Sequence, residues 1–210
     1  AASQSVWWTD IHGRFLYQLF WPSLQLNSYP LPERMSCFAL LNPNDPMRSD
    51  YSLLVAFESG FALYQPATQD IFWLAKPERH LSGNRMNDGR VDRQGRFWAG
   101  TMRELNPDQT GTLYRLDQQG CHPVLPGLQI PNSLCWNKNS SLMYHADSPT
   151  GQIYCYQFEA GQGSVGHSEL FATVPAGAEP DGAVIDADDH LLCALWGGAA
   201  IARYSPSGQQ

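Results

Sequence analysis

The chain has 210 residues, 13 Lys and Arg against 20 Asp and Glu, and a formal net charge of −7. This acidic balance, with no run of basic residues, argues against a nucleic-acid partner. No stretch nears the ~18 uninterrupted apolar residues of a membrane helix, so no membrane partner is expected. Hydrophobic residues make up 43% of the chain, enough for the core of a single domain spanning 1–210. The opening Ala1-Ala2-Ser3-Gln4 has neither the basic nor the apolar region of a signal peptide. Cys37, Cys121, Cys135, Cys155 and Cys193 are odd in number, and none forms a C-x-x-C pair. Free thiols in a reducing, cytoplasmic setting are the expectation.

In chain order the pattern predicts strands rather than helices. No run of ten or more residues repeats apolar positions at helical spacing. The first strands are Val6–Ile11 and Phe15–Phe20, joined at His12-Gly13, with a weaker one over Leu24–Leu31. Met35–Leu41 follows, then a polar loop from Asn42 to Asp50. Tyr51–Phe57, Phe61–Tyr64 and Ile71–Ala75 are the next strands, before a polar segment from Lys76 to Gly83. A polar cluster, Asn84, Arg85, Asn87 and Asp88, then fronts a hairpin. Its first strand closes at Val91-Asp92, it turns at Gln94-Gly95, and its second strand is Phe97–Met102. After a loop from Arg103 to Thr110 come Gly111–Leu116 and Cys121–Leu125. Ile130–Trp136, Leu142–Asp147, Gly151–Phe158 and Glu169–Val174 form a set of four. Pro180–Asp186, Leu191–Trp196 and Ala200–Tyr204 begin another.

One unit therefore recurs: polar tip, strand, short turn, strand, turn, strand, loop, strand. The tips fall at Asn87, Asn132 and Asp181, 45 and 49 residues apart. Four strands every ~40–50 residues is the period of a β-propeller blade. The fold class expected is an all-β propeller. Inner strands of successive blades line one axis, so the three tips should converge there. An Asp carboxylate and two Asn carbonyls form an oxygen-only set suited to Ca²⁺, Mg²⁺ or Mn²⁺. The competing reading is that all three residues make strand-start turns.

Other candidates carry less. His145 and Asp147 share a strand face at i, i+2, as a metal pair or as ordinary strand residues. Trp98 and Trp196 either pack between blades or wall a pocket. Ser133 and Ser148 lack a G-x-S-x-G context, and no glycine-rich phosphate loop precedes a helix.

The motifs resemble the gluconolactonase / senescence marker protein (regucalcin) / luciferin-regenerating enzyme family. The pieces are Trp8-Thr9-Asp10-Ile11, Asn84-Arg85-Met86-Asn87-Asp88-Gly89-Arg90-Val91-Asp92, Gly95-Arg96-Phe97-Trp98-Ala99-Gly100-Thr101-Met102, Gly111-Thr112-Leu113-Tyr114-Arg115, Ile130-Pro131-Asn132-Ser133-Leu134, Ala146-Asp147-Ser148, and Pro180-Asp181-Gly182 with Leu195-Trp196-Gly197-Gly198. They run in family order along essentially the whole chain. The resemblance implies a six-bladed propeller with one catalytic divalent ion (Ca²⁺, Mg²⁺, Mn²⁺ or Zn²⁺) on its axis, and a small-molecule sugar lactone as substrate. It assigns Asn132 and Asp181 as metal ligands, Asp181 also as general base, and Arg85 and Asn87 as substrate-binding residues.

Two departures follow. The family's third ligand is a Glu in a segment ahead of the first Trp-rich strand. This chain has no such segment there, and Glu33 and Glu58 lie at the wrong places to replace it. Six blades need about 270 residues by the blade period, so 210 supply four to five and the last is lacking. The alternative to a lactonase is a non-catalytic propeller that binds Ca²⁺ or another ligand, or an inactive fragment of a lactonase.

Overall fold

The computed structural model describes residues 4–42, 50–105 and 108–210. The parts of the two expected loops that fall at 43–49 and 106–107 lie outside the described residues, as does the start of the Ala1–Gln4 segment. Among the described residues the only helical element is one turn of 3₁₀ helix, Ser148–Thr150. The fold is all-β: the described residues form five antiparallel sheets of three, four, four, four and three strands, the blades of a β-propeller. Compactness divides the chain into two units, residues 1–86 and 87–210.

The first unit holds the first two blades. β1 (Ser5–Asp10), β2 (Phe15–Phe20) and β3 (Leu26–Pro30) pair in order, followed by β4 (Met35–Leu40), β5 (Leu53–Phe57), β6 (Gly60–Gln65) and β7 (Asp70–Ala75). β5 is buried along its whole length, and β6 over all but its last residue. That burial explains their uninterrupted apolar sequence, which lacks the alternation of a one-sided strand. Leu16, Met35, Leu53, Phe57 and Tyr64 belong to one core cluster. The Thr9 hydroxyl donates to the Met35 carbonyl at 2.9 Å and joins the two blades.

β8 (Asn84–Val91) runs from the end of the first unit into the second. The structure differs from the sequence reading here, because the polar cluster lies within a strand and not in front of one. The second unit continues with β9 (Phe97–Arg103), β10 (Gly111–Asp117) and β11 (Gly120–Leu128). It then adds β12 (Pro131–Trp136), β13 (Leu142–Asp147), β14 (Gln152–Glu159) and β15 (Ser164–Thr173), and last β16 (Glu179–Ile185), β17 (Leu191–Trp196) and β18 (Ala200–Tyr204). β11 extends past Pro123 and Pro126 because it is an outer edge strand, where a missing N–H breaks no ladder bond.

The strand alternation sends side chains to two cores. Leu134 and Trp136 of β12 face Trp98, Leu113, Met143 and Phe158. Cys135 faces the opposite way, with Tyr144, Ile153, Leu191 and Tyr204. Each large apolar side chain fully buried here contributes roughly 1.5–3 kcal/mol. Trp98 does not wall a pocket: it is fully buried, with its ring centroid 5.6 Å from Trp136 and 5.9 Å from Phe158.

The β8–β9 turn is held by a buried carboxylate. Asp92 accepts from the backbone N–H of Gln94 and Arg96, from Arg96 Nε at 2.6 Å and from Trp98 Nε1 at 3.0 Å. Gly95 takes φ 85° in this turn, a conformation open to glycine. Arg96 reaches on to the carbonyls of Ala160 and Gly161, tying the hairpin to the next blade.

Candidate functional site

The expected tips Asn132 and Asp181 occupy equivalent places in adjacent inner strands. β12 carries one extra residue against β13 between Asn132 and Cys135, and Ser133 there takes φ 60°. β16 carries one extra residue against β17 between Pro180 and Ala183. Each strand therefore bulges at its polar residue, a device that re-aims a side chain at a sheet's rim. Gly100 on β9 supports the first bulge, since a Cβ there would overlap the ring of Pro131.

Hydrogen bonds from both sides fix this arrangement. Asn87 Nδ2 donates to the Pro131 carbonyl at 3.1 Å, and the Leu134 N–H released by the bulge donates to Asp88 Oδ2 at 3.0 Å. These two contacts bracket Asn132 from β8. Ser133 Oγ donates to the Asp181 carbonyl, and Ser148 Oγ donates to the Pro180 carbonyl at 2.7 Å. These tie β12 and the 3₁₀ turn to β16.

Asn132 is buried and gives its Nδ2 to Ser148 Oγ at 2.8 Å. Among the described residues nothing donates to its Oδ1, and nothing bonds the Asp181 carboxylate. One amide oxygen and one carboxylate are thus available on neighbouring strands. Asp88 adds a second carboxyl: burial raises its pKa, the Leu134 N–H and Arg90 oppose that rise, and the charge of Asp181 reinforces it. The donors are all oxygens. The Cys193 thiol, beside the Ser133 hydroxyl, has its pKa raised by burial. This set fits a hard divalent cation that keeps much of its shell as water. Among the described residues no group of three or more His, Cys, Asp or Glu could hold a metal ion.

Arg85 is buried on β8, near the end of the first unit, and its Nη1 donates to the Met86 carbonyl at 2.9 Å. Glu33 accepts from the N–H and hydroxyl of Ser59, and Glu58 pairs with Arg34 at 2.7 Å, so both carboxylates serve the first unit's own structure. His145 and Asp147 do not act as a pair. His145 is buried with no partner for Nε2, and burial lowers its pKa to about 4. Asp147 accepts the N–H groups of Gln129 and Ile130. Trp196 is 67% exposed. Sequence reasoning missed Asp88 and Ser148 as parts of the site. Both lie in the recurring motifs, but their roles depend on partners 46 and 16 residues away.

Fold and site together define a β-propeller with oxygen donors carried on bulged inner strands. The chain belongs to the SMP-30/Gluconolactonase/LRE-like family, whose profile matches residues 1–210. It is 32% identical to an L-arabinolactonase from Azospirillum brasilense, over 98% of this chain and 68% of that protein. It is 31% identical to a 6-deoxy-6-sulfogluconolactonase from Pseudomonas putida, over 98% of this chain and 69% of that one. The crystal structure of a calcium-binding protein, regucalcin, from Agrobacterium tumefaciens superposes with a TM-score of 0.91 at 29% identity, covering all of this chain and 69% of that one.

Proposed function

We propose that the chain is a hydrolase of sugar lactones that works with one divalent cation. The observation that carries the reading is the pair of bulges that set Asn132 and Asp181 at matching points with an amide oxygen and a carboxylate left over. The relatives named as lactonases support the substrate class, and the family match through both units supports a single domain. Asn132 Oδ1 and Asp181 would hold the cation. Oxygen donors favour Ca²⁺, Mg²⁺ or Mn²⁺ over Zn²⁺. A cation held there would supply Lewis-acid polarisation of the lactone carbonyl and a lowered pKa of water.

The chain's own residues do the rest. Asp181 takes the proton of the attacking water as general base. Asn87, its Nδ2 fixed on the Pro131 carbonyl, lies two residues after Arg85 on the same strand and is assigned to substrate oxygens. Arg85 adds a planar fork of donors for the same task. Cys121, Cys135, Cys155 and Cys193 stand as free thiols, which supports a reducing compartment. No helix among the described residues is long and apolar enough to cross a membrane.

The test is proton release from a panel of aldonolactones by metal-stripped protein, with Ca²⁺, Mg²⁺, Mn²⁺ or Zn²⁺ added back, beside Asp181→Ala. Turnover that requires the ion and disappears in the variant is the expected result. Folded protein that turns over no lactone with any ion sinks the hydrolase reading. The second reading, a propeller that binds Ca²⁺ without catalysis, is favoured by the calcium-binding relative of known structure and would then take its place.

A further inference from the structure

Asn132 can present either end of its amide to the site, and only the oxygen end can face a cation. The neighbouring hydroxyl decides which. Ser148 is 3% exposed, and its Oγ lies 2.7 Å from the Pro180 carbonyl and 2.8 Å from Asn132 Nδ2. A carbonyl only accepts, so the single hydroxyl proton of Ser148 is committed to Pro180. What remains on Oγ is acceptor capacity, and it can face only the NH₂ end of Asn132. The oxygen end is thereby turned away from Ser148. The same hydroxyl also grips the backbone one residue before Asp181.

We propose that Ser148 is a positioning residue: it fixes the amide of Asn132 with Oδ1 toward the cation. The inference rests on the cation reading above and names the group that makes the amide competent. Without the hydroxyl the amide is free to rotate, and half of its orientations present a donor to a positive charge.

Mn²⁺ alone is the probe, with free ion followed by electron paramagnetic resonance during titration of metal-stripped protein. Loss of an outer partner of a metal ligand typically weakens binding about 10–100-fold. That loss is expected for Ser148→Ala. A carboxylate has an oxygen at either end and needs no such orientation. In the Asn132→Asp background, adding Ser148→Ala should therefore change Mn²⁺ affinity less than about 3-fold, a non-additivity that marks coupled residues. Equal weakening in both backgrounds would show a merely structural hydroxyl and overturn the inference, and so would a Ser148→Ala protein that binds Mn²⁺ as the parent does. Either result leaves the cation site standing. Failure of the parent itself to bind Mn²⁺ overturns the cation reading and this inference with it. Lactone turnover enters none of these arms.

Discussion

Replacing Asp92 by Asn removes one charge from the turn that anchors the third blade. The carboxylate is 1% exposed and the Arg96 side chain 10%, so solvent screens the pair little. An Asn at this place can still accept the main-chain N–H groups of Gln94 and Arg96 through its oxygen. Its NH₂ would then confront Arg96 Nε and Trp98 Nε1, both donors. The guanidinium is left buried without its counter-charge. Removing one partner of a buried ion pair costs about 3–5 kcal/mol. Arg96 keeps the carbonyls of Ala160 and Gly161, which places the expected loss near the lower end, about 3 kcal/mol. Urea unfolding followed by tryptophan fluorescence and circular dichroism measures it. In an Arg96→Met background the buried carboxylate is itself left without its counter-charge, so the same substitution relieves that penalty and should cost no more than about 1 kcal/mol, the scale of an ordinary hydrogen bond. A loss under 1 kcal/mol in the parent, or an identical loss in both backgrounds, refutes the claim that a buried charge pair secures the turn.

Three further outcomes are expected. His145 is neutral when folded, with a pKa of about 4, against the ordinary 6.5 of an unfolded chain. Its contribution is complete above pH 6.5 and is lost as pH falls toward 4, because only the unfolded state takes up the proton there; by linkage this amounts to roughly 3 kcal/mol. Unfolding free energies at pH 7 and pH 4.5 should show that slope, and His145→Leu should flatten it. Gly100→Ala drives a Cβ into Pro131 and should destabilise by about 1–3 kcal/mol. It should also weaken Mn²⁺ binding, since Asn132 follows that proline. Gly182→Ala, whose Cβ meets nothing within 4 Å, should stay within about 0.5 kcal/mol of the parent. Thermal unfolding and Mn²⁺ titration of the two variants decide the point.

Much of the fold was legible because short apolar runs separated by Gly, Pro and Asn are what a blade requires. The hairpin turn at Gln94-Gly95 and the inner strands at Asn132 and Asp181 sit where the pattern predicts. The extent of β8 was hidden: Asn84 to Asp88 lacks the alternation of a half-buried strand, and tertiary hydrogen bonds define its course instead. β15 begins at Ser164, earlier than its apolar run, because an outer strand needs little apolar surface to pair with β14. Among the residues of the proposed site, Asn132 and Asp181 drew attention through their recurrence. Ser148 did not, since a serine in a strand-end turn looks the same whether its hydroxyl faces water or orients an amide. The unpartnered burial of His145 was equally invisible, because burial depends on the packing of β13 and not on local sequence.

The paired bulges also set what kind of change these strands can absorb. Side chains alternate along a strand with a period of two, so an odd residue inserted into a run exchanges the two faces for everything after it. Deleting Ser133 would therefore act as a frameshift in space. It would send Leu134 and Trp136 toward the Tyr144 and Ile153 side and Cys135 toward Trp98, inverting two cores at once. Exchange of one polar residue for another at 132 or 181 disturbs no such parity. Variation in this chain should accordingly be permissive in chemistry at the two tips and intolerant in length, so that ligand preference can drift while the spacing from each tip to its core residues stays locked.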